Sequence, residues 1–391
     1  MRNENGIKLN YMTGIMAEFA LLLLIVLFTL FHVKGGVSPV FYLTFIVLIP
    51  LIVKSMVGRA IPWALLFLVF TTLLNVTVNA MLSRIAKISF EYFFKMIMFL
   101  CTMLYFWSVS ETVIDEKSGV RLTLIPMLMG IFMIASYYLL GNRTQIAGCI
   151  TLGFVNPNFT GMWLTHVLLY GVYIIVSVKK PLVRVPVAAI SLLCLVLIWN
   201  TFTRSCFFGL AFFAIMMFVG KVWNVRKLSP VMVVLIILLP LICALFYLFI
   251  ADSTWFSKLF DFIVRPGKKL NARDEIWRVT LNMLKNNPLI GCYSEISNGT
   301  GLSQLHNTHI DVLCSYGVIP FVLFIVSLTA VVGKVNQRIR SFRQFTALSA
   351  FLSIIVIGSF EAAIVSGSTG LYILSGGFLL LSSEWKSDRT D

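Results

Sequence analysis

The stretch Leu305-His306-Asn307-Thr308-His309-Ile310-Asp311 holds two of the chain's four histidines, three residues apart, with a carboxylate close behind and a long apolar run ahead. Those residue types support three kinds of chemistry. As metal ligands, His306 and His309 have an acceptable spacing on a helix, but a catalytic zinc takes a third protein ligand. Asp311, two residues past His309, falls nearly on the opposite side and cannot easily complete the set. As a general base, a neutral imidazole titrates near working pH and takes a proton from an attacking hydroxyl. As a plain helix start at a membrane boundary, the same residues need no chemistry at all. Asn307 and Asp311 stand four apart along one stripe and can fix the local geometry, yet neither orients His306. The metal reading is the weakest of the three; base and helix start stay open on spacing alone.

A second set of residues suits an anion. "NARDEIWRVTLNMLKNNPLIG" reads as one amphipathic helix, with Asn271 as its N-cap and Asn286-Asn287-Pro288 as its stop. Ile276, Thr280, Met283 and Leu284 fall on one side at helical spacing, and Arg273 sits in the first turn on that side. Free backbone N–H groups at a helix start favour an anion, and a guanidinium there adds bidentate recognition of phosphate oxygens. A packing role for Arg273, stacked on Trp277, is the competing reading. Arg278 points elsewhere and is expected in solvent. "NTFTRSCFFG" turns the chain between two apolar runs and sets Arg204 at a membrane boundary, where it clamps an anion or merely snorkels to headgroups. "GFVNPNFTG" puts Asn156 and Asn158 around Pro157, ordinarily a turn and cap. Arg143 lies in the loop before it. Glu361 closes another apolar run, and carboxylates in such places are functional candidates by default.

The elements that must position these groups are membrane helices. With 59% hydrophobic and 12% charged residues among 391, the chain lacks a soluble composition. Apolar runs near bilayer-crossing length recur at 14–33, 38–53, 61–80, 92–109, 121–140, 158–178, 185–200, 204–220, 230–250, 309–332, 345–365 and 368–383. The expected fold is an all-α, polytopic integral membrane helical bundle of about 12 transmembrane helices, treated as a single membrane domain over 1–391. Alternating ten-residue segments, the mark of a β-barrel, are missing from the sequence. The first run is too long for a signal-peptide core and is expected to stay as a span. Seven scattered cysteines show no paired spacing and read as small apolar residues.

The formal net charge of +15 is mostly topological. With the N-terminus inside, the inner loops and tails collect 18 of the 31 cations, which is the positive-inside asymmetry and argues against nucleic-acid binding. The remaining concentration lies in one long loop, 251–308, which this topology puts outside, and which carries Arg265 as well as the amphipathic helix with Arg273. The cation-rich groups therefore gather at outer headgroup depth.

"ARDEIWRVTLNMLKNNPLIGCYSE" followed by "LHNTHIDVLCSYGVIPF" resembles the signature region of the O-antigen ligase and O-antigen polymerase superfamily. An arginine before a tryptophan, then Pro-x-x-Gly, then His-Asn opening an apolar span make that pattern. "TFTRS" is similar to its Ser/Thr-Arg-Ser element, and "NPN" to its asparagine motif at a span entrance. The chain departs from the pattern in "SYGVIPF", with proline where a second glycine usually stands, and in "CYSE", which is not glycine-rich. The resemblance implies a glycosyltransferase at the outer face of the cytoplasmic membrane. Its donor is a polyprenyl-diphosphate-linked oligosaccharide and its acceptor a glycan hydroxyl, with no cofactor. Arg204 and Arg273 would clamp the diphosphate without a metal, assisted by Arg265 or Arg143, and His306 would deprotonate the acceptor. Asn307, Asn158, Glu361 and His309 would support them, His309 by packing or a minor acceptor contact. Polymerisation of lipid-linked repeats is the preferred activity, and ligation of a finished chain to a lipid A core the alternative. Membrane lipids, a flippase and a chain-length regulator are the implied partners. A lipid-linked-sugar flippase is the rival from another class, but the sequence shows no internal repeat and few mid-span charges.

Overall fold

The structure, a computed structural model, describes residues 61–82, 90–139, 145–146, 149–152, 154, 156–224, 227–250, 273–292, 305–361 and 371–383. In chain order the elements are α1 (Trp63–Leu82), α2 (Phe90–Glu111), α3 (Glu116–Leu139), β1 (Gln145–Ile146), β2 (Cys149–Ile150), α4 (Pro157–Ser177) and α5 (Pro181–Thr201). There follow α6 (Arg204–Val222), α7 (Pro230–Ile250), α8 (Arg273–Asn286), α9 (Thr308–Tyr316), α10 (Val318–Arg338), α11 (Phe342–Ile357) and α12 (Leu371–Ser382). Apart from the two-stranded ribbon β1–β2, the described architecture is helical, as apolar chain without water to satisfy its backbone must be. Pro157, Pro181 and Pro230 each open a helix, where a missing N–H costs nothing.

Six of these helices are long and apolar enough to cross a membrane: Ser118–Ala135 within α3, and α4, α5, α6, α7 and α10. Trp63–Val78, α11 and α12 are apolar but shorter. Twelve spans are therefore not all shown, and those expected at 14–33 and 38–53 lie outside the described residues. The short helices have a physical reason. The 16 residues of α11 extend only about 24 Å, less than the hydrocarbon thickness of roughly 30 Å. But α11 is buried along nearly its whole length, enclosed by α4, α6, α7, α10 and α12, so protein rather than lipid surrounds it. The lipid-like surface lies instead on α5, α6 and α7, which leave Leu182, Val196, Phe218, Leu235 and Phe249 exposed.

The apolar run expected at 309–332 is divided. Gly317, at φ 89°, ends α9 and starts α10, so the histidine stretch stands on its own short helix. The proline that replaces the family's second glycine falls at Pro320, in the first turn of α10, where proline is tolerated.

Candidate functional site

Asn307 organises the site locally. It is the N-cap of α9, its side-chain oxygen accepting from the N–H groups of His309 and Ile310 at 2.9 Å each. Its amide nitrogen donates to Pro240 O in α7 at 3.0 Å and to Ser359 O past α11 at 2.8 Å. One fully buried amide thus fastens the start of α9 to α7 and to the turn after α11 with all its groups satisfied. Thr308 extends the joint: its N–H donates to Gly358 O at 2.9 Å and its hydroxyl to Glu361 O at 3.2 Å. The residue before the cap, His306, is thereby set beside the residue that ends the turn after α11, Glu361.

The amphipathic helix α8 is the second support. Its buried residues are Arg273, Trp277, Thr280 and Leu284, whereas Ile276 and Met283 are only half-buried. The buried stripe is rotated from the expected one because the largest ring decides it. Trp277 is fully buried edge-on against Tyr247, and its indole N–H donates to Leu305 O at 2.6 Å, next to His306. Asn286 closes the helix as expected, and Arg278 is exposed, reaching Leu248 O at 2.9 Å. Beyond α8, Pro-x-x-Gly docks on the end of α9. Val318 N–H donates to Pro288 O and Cys292 N–H to Cys314 O. Asn75 of α1 donates to both Leu289 O and Tyr316 O at 2.7 Å. Gly291 and Gly317, both at positive φ, face each other here, and a Cβ on either would strike the other's strand of backbone. This is the physical content of the spacing between the arginine and histidine motifs: it locks Arg273's helix to His306's helix.

Four of the expected residues converge. Glu361 Oε1 accepts from an Arg273 Nη at 2.7 Å and from Asn158 Nδ2 at 2.7 Å, and Glu361 Oε2 lies 3.2 Å from His306 Nδ1. Asn158 is presented by α4, whose cap Asn156 accepts from the Asn158 N–H, so the turn-and-cap reading of Asn-Pro-Asn holds alongside the contact. The Glu361 side chain is 5% exposed and that of Arg273 11%, while the imidazole of His306 is 28% exposed. Arg273 therefore pairs with a carboxylate rather than stacking on Trp277. Among the described residues it does so through one nitrogen only, and its buried Nε has no hydrogen-bond partner. A buried donor left unpaired costs about 1–3 kcal/mol, which makes this guanidinium incomplete as it stands. His306 adds strain of its own at φ 51°, in the left-handed region that costs a non-glycine residue about 1–2 kcal/mol. Leu152 and Phe202, in turns at the same end of the bundle, are also left-handed, as is Asn224 past the far end of α6. Such strain gathers at functional sites.

Arg204 is the first residue of α6 and half-buried. The turn before it is pinned to the start of α4 by the Thr203 hydroxyl, which donates to Pro157 O at 3.2 Å. One turn on, Phe208 packs edge-on against Phe360, the neighbour of Glu361. His309 is separated from this group: fully buried, its ring packs edge-on against Phe321 and Phe324 of α10. Asp311 is half-buried, with the Ser315 hydroxyl at 3.5 Å. Among the described residues no three or more His, Cys, Asp or Glu side chains gather as metal ligands do. Arg143, Arg265 and the expected cap Asn271 lie outside the described residues. The sequence reading marked Glu361 by its place at the end of an apolar run, but not that its carboxylate joins Arg273, Asn158 and His306.

An Arg–Glu–His cluster at one end of a polytopic helical bundle gives a membrane protein with a candidate site in which an arginine and a histidine share one carboxylate. Residues 189–325, from within α5 to within α10, match the family described as O-antigen ligase, which bears out the resemblance to the O-antigen ligase and polymerase superfamily. Members of that family are glycosyltransferase-like enzymes acting as ligases or polymerases. No curated protein matches the chain.

Proposed function

We propose that the protein polymerises polyprenyl-diphosphate-linked oligosaccharide repeats into a surface polysaccharide at the outer face of the cytoplasmic membrane. The observation that supports this most is the meeting of Arg273 and His306 on one carboxylate at the end of the helical bundle. Donor diphosphate and acceptor hydroxyl must meet at headgroup depth, and those are the two side chains they need. Arg273 and Arg204, with Arg265 or Arg143, hold the diphosphate; planar guanidinium forks suit its oxygens better than lysine. His306 Nε2 takes the proton of the acceptor hydroxyl as that oxygen attacks the anomeric carbon. The bond from that carbon to the diphosphate breaks, and the electron pair leaves with the polyprenyl diphosphate, whose charge the arginines balance. A single displacement of this kind inverts the anomeric configuration. Positioned general-base catalysis contributes typically ~10²–10⁴ in rate.

A second reading, transfer of a finished chain to a lipid A core, draws on the description of the matching family as a ligase. Purified protein in liposomes, supplied with the lipid-linked repeat isolated from host membranes, separates them. Longer lipid-linked glycans are the expected product. Product only when a lipid A-type acceptor is added would favour the ligase. Transbilayer movement of the repeat without new glycosidic bonds would overturn both readings in favour of a flippase.

A further inference from the structure

Among the described residues Glu361 is the group that touches Arg273, His306 and Asn158 together, and its position between the two functional side chains suggests more than support. A carboxylate accepts hydrogen bonds, so the imidazole must direct Nδ1–H at Oε2, leaving Nε2 with the lone pair a base needs. On its other side the same carboxylate occupies a guanidinium that a diphosphate would also seek. It holds Arg273 through one nitrogen only, with the buried Nε unmet. A fork used at one prong is open to exchange for a ligand that can use two.

We infer that Glu361 is a counter-ion that changes partners during the reaction, holding Arg273 while the site is empty and serving His306 once the donor diphosphate has taken the arginine. This deepens the proposed function and rests on its assignment of His306 and Arg273. In the empty site the carboxylate neutralises a buried cation, which would otherwise be costly. When the diphosphate displaces it, Asn158 still donates to Oε1 and keeps the side chain in place. The full negative charge then faces His306 Nδ1–H, where it fixes the tautomer and stabilises the imidazolium as the acceptor proton arrives at Nε2. After the anomeric carbon–oxygen bond has broken, the carboxylate competes again for Arg273 and helps release the polyprenyl diphosphate. Donor occupancy thus arms the base, and an acceptor hydroxyl is not activated in front of an empty donor site. Glu361 is in this sense a positioning residue.

The exchange has a signature that a structural role lacks, since donor binding and turnover move in opposite directions. Glu361→Gln keeps the shape and the hydrogen bond to Asn158 but removes the charge that competes for Arg273. Binding of polyprenyl diphosphate in detergent micelles is expected to tighten several-fold, while kcat falls about 10²-fold. In a His306→Asn background, Glu361→Gln should cost no more than a few-fold further, because it acts through the imidazole. Weaker polyprenyl diphosphate binding with unchanged kcat, or a kcat loss that multiplies in full on the His306→Asn background, would overturn the partner exchange. Should Glu361→Gln fail to accumulate, Glu361→Asp keeps the charge and shortens the reach. It is expected to lower kcat while leaving polyprenyl diphosphate binding within about two-fold, and unchanged kcat there would count against the inference. Full activity of His306→Asn alone would instead sink the proposed function, so the two failures are distinguishable.

Discussion

Two glutamates close two ends of this bundle, and each faces a pair of basic groups. Glu111, at the end of α2, meets Lys334 and Arg338, the Arg338 nitrogen lying 3.9 Å away. Those cations are neighbours four residues apart on α10, the lysine 42% and the arginine 31% exposed. Arg338 also donates to Ser110 O, so the group ties the ends of α2 and α10 with partners that come from adjacent turns. Glu361 differs in every respect. It is nearly buried, and its three partners come from separate parts of the chain, with separations of 203, 88 and 55 residues. One partner keeps an orphaned donor and another a strained backbone. A glutamate between two basic side chains makes a helix staple at one end and the candidate site at the other. The distinction lies in burial, in the sequence distance of the partners, and in the valences left unfilled.

The sharpest way to break that contrast is His306→Asn. Asparagine tolerates the left-handed backbone that His306 adopts, so the joint around Asn307 should survive the change. It cannot act as a base. Turnover of lipid-linked repeat is expected to fall about 10²–10⁴-fold, equivalent to roughly 3–5 kcal/mol of barrier, with thermal stability in detergent little altered. Wild-type turnover in a folded variant would reduce His306 to a helix-start residue and leave Glu361 as another staple.

The next largest effect is expected where the two motifs lock together. Gly317→Ala puts a Cβ at φ 89° against the backbone of Leu289. Backbone strain of about 1–3 kcal/mol, in a region essentially closed to residues other than glycine, and the displacement of Pro-x-x-Gly should lower the unfolding temperature by several degrees. Because Arg273 reaches the site through that lock, turnover should drop as well even at temperatures where the variant is folded. A variant that loses stability but keeps its rate per folded molecule would show that α8 holds Arg273 without help from Gly291 and Gly317.

Much of this site was legible one residue at a time. His306, Asn158 and Glu361 each stand out as polar groups at the border of an apolar run, where burial without purpose is expensive, and Arg273 stands out at the start of an amphipathic helix. Their meeting was not legible, because nothing in the spacing of α4, α8, α9 and α11 says which ends share a corner. Asn307 shows the same limit. Its capping role follows from its place before a helix, but its bonds to Pro240 and Ser359 depend on packing. The face of α8 was misjudged for a related reason: periodicity gathered Ile276, Thr280, Met283 and Leu284 and left Trp277 out, whereas the indole's bond to Leu305 O fixes the rotation. The span expected at 345–365 meets a helix, but one of only 16 residues. A helix such as α11, walled by protein on all sides, is released from the length that lipid imposes.

The smallest effect should come from the staple, and it completes the comparison. Glu111→Gln removes the charge but keeps an acceptor for Lys334, and the cations left behind are already partly in solvent. Exposed ion pairs contribute about 0.2–1 kcal/mol, so the unfolding temperature should move by no more than a few degrees and turnover should match the wild type. Raising the salt concentration should shrink even that difference, since screening acts on exposed charges far more than on buried ones. A large loss of turnover on Glu111→Gln, without a loss of folded protein, would mean that the two ends are coupled through α10. The contrast between staple and site would then have to be redrawn around that helix, which begins directly after Gly317 and carries Lys334 and Arg338 at its far end.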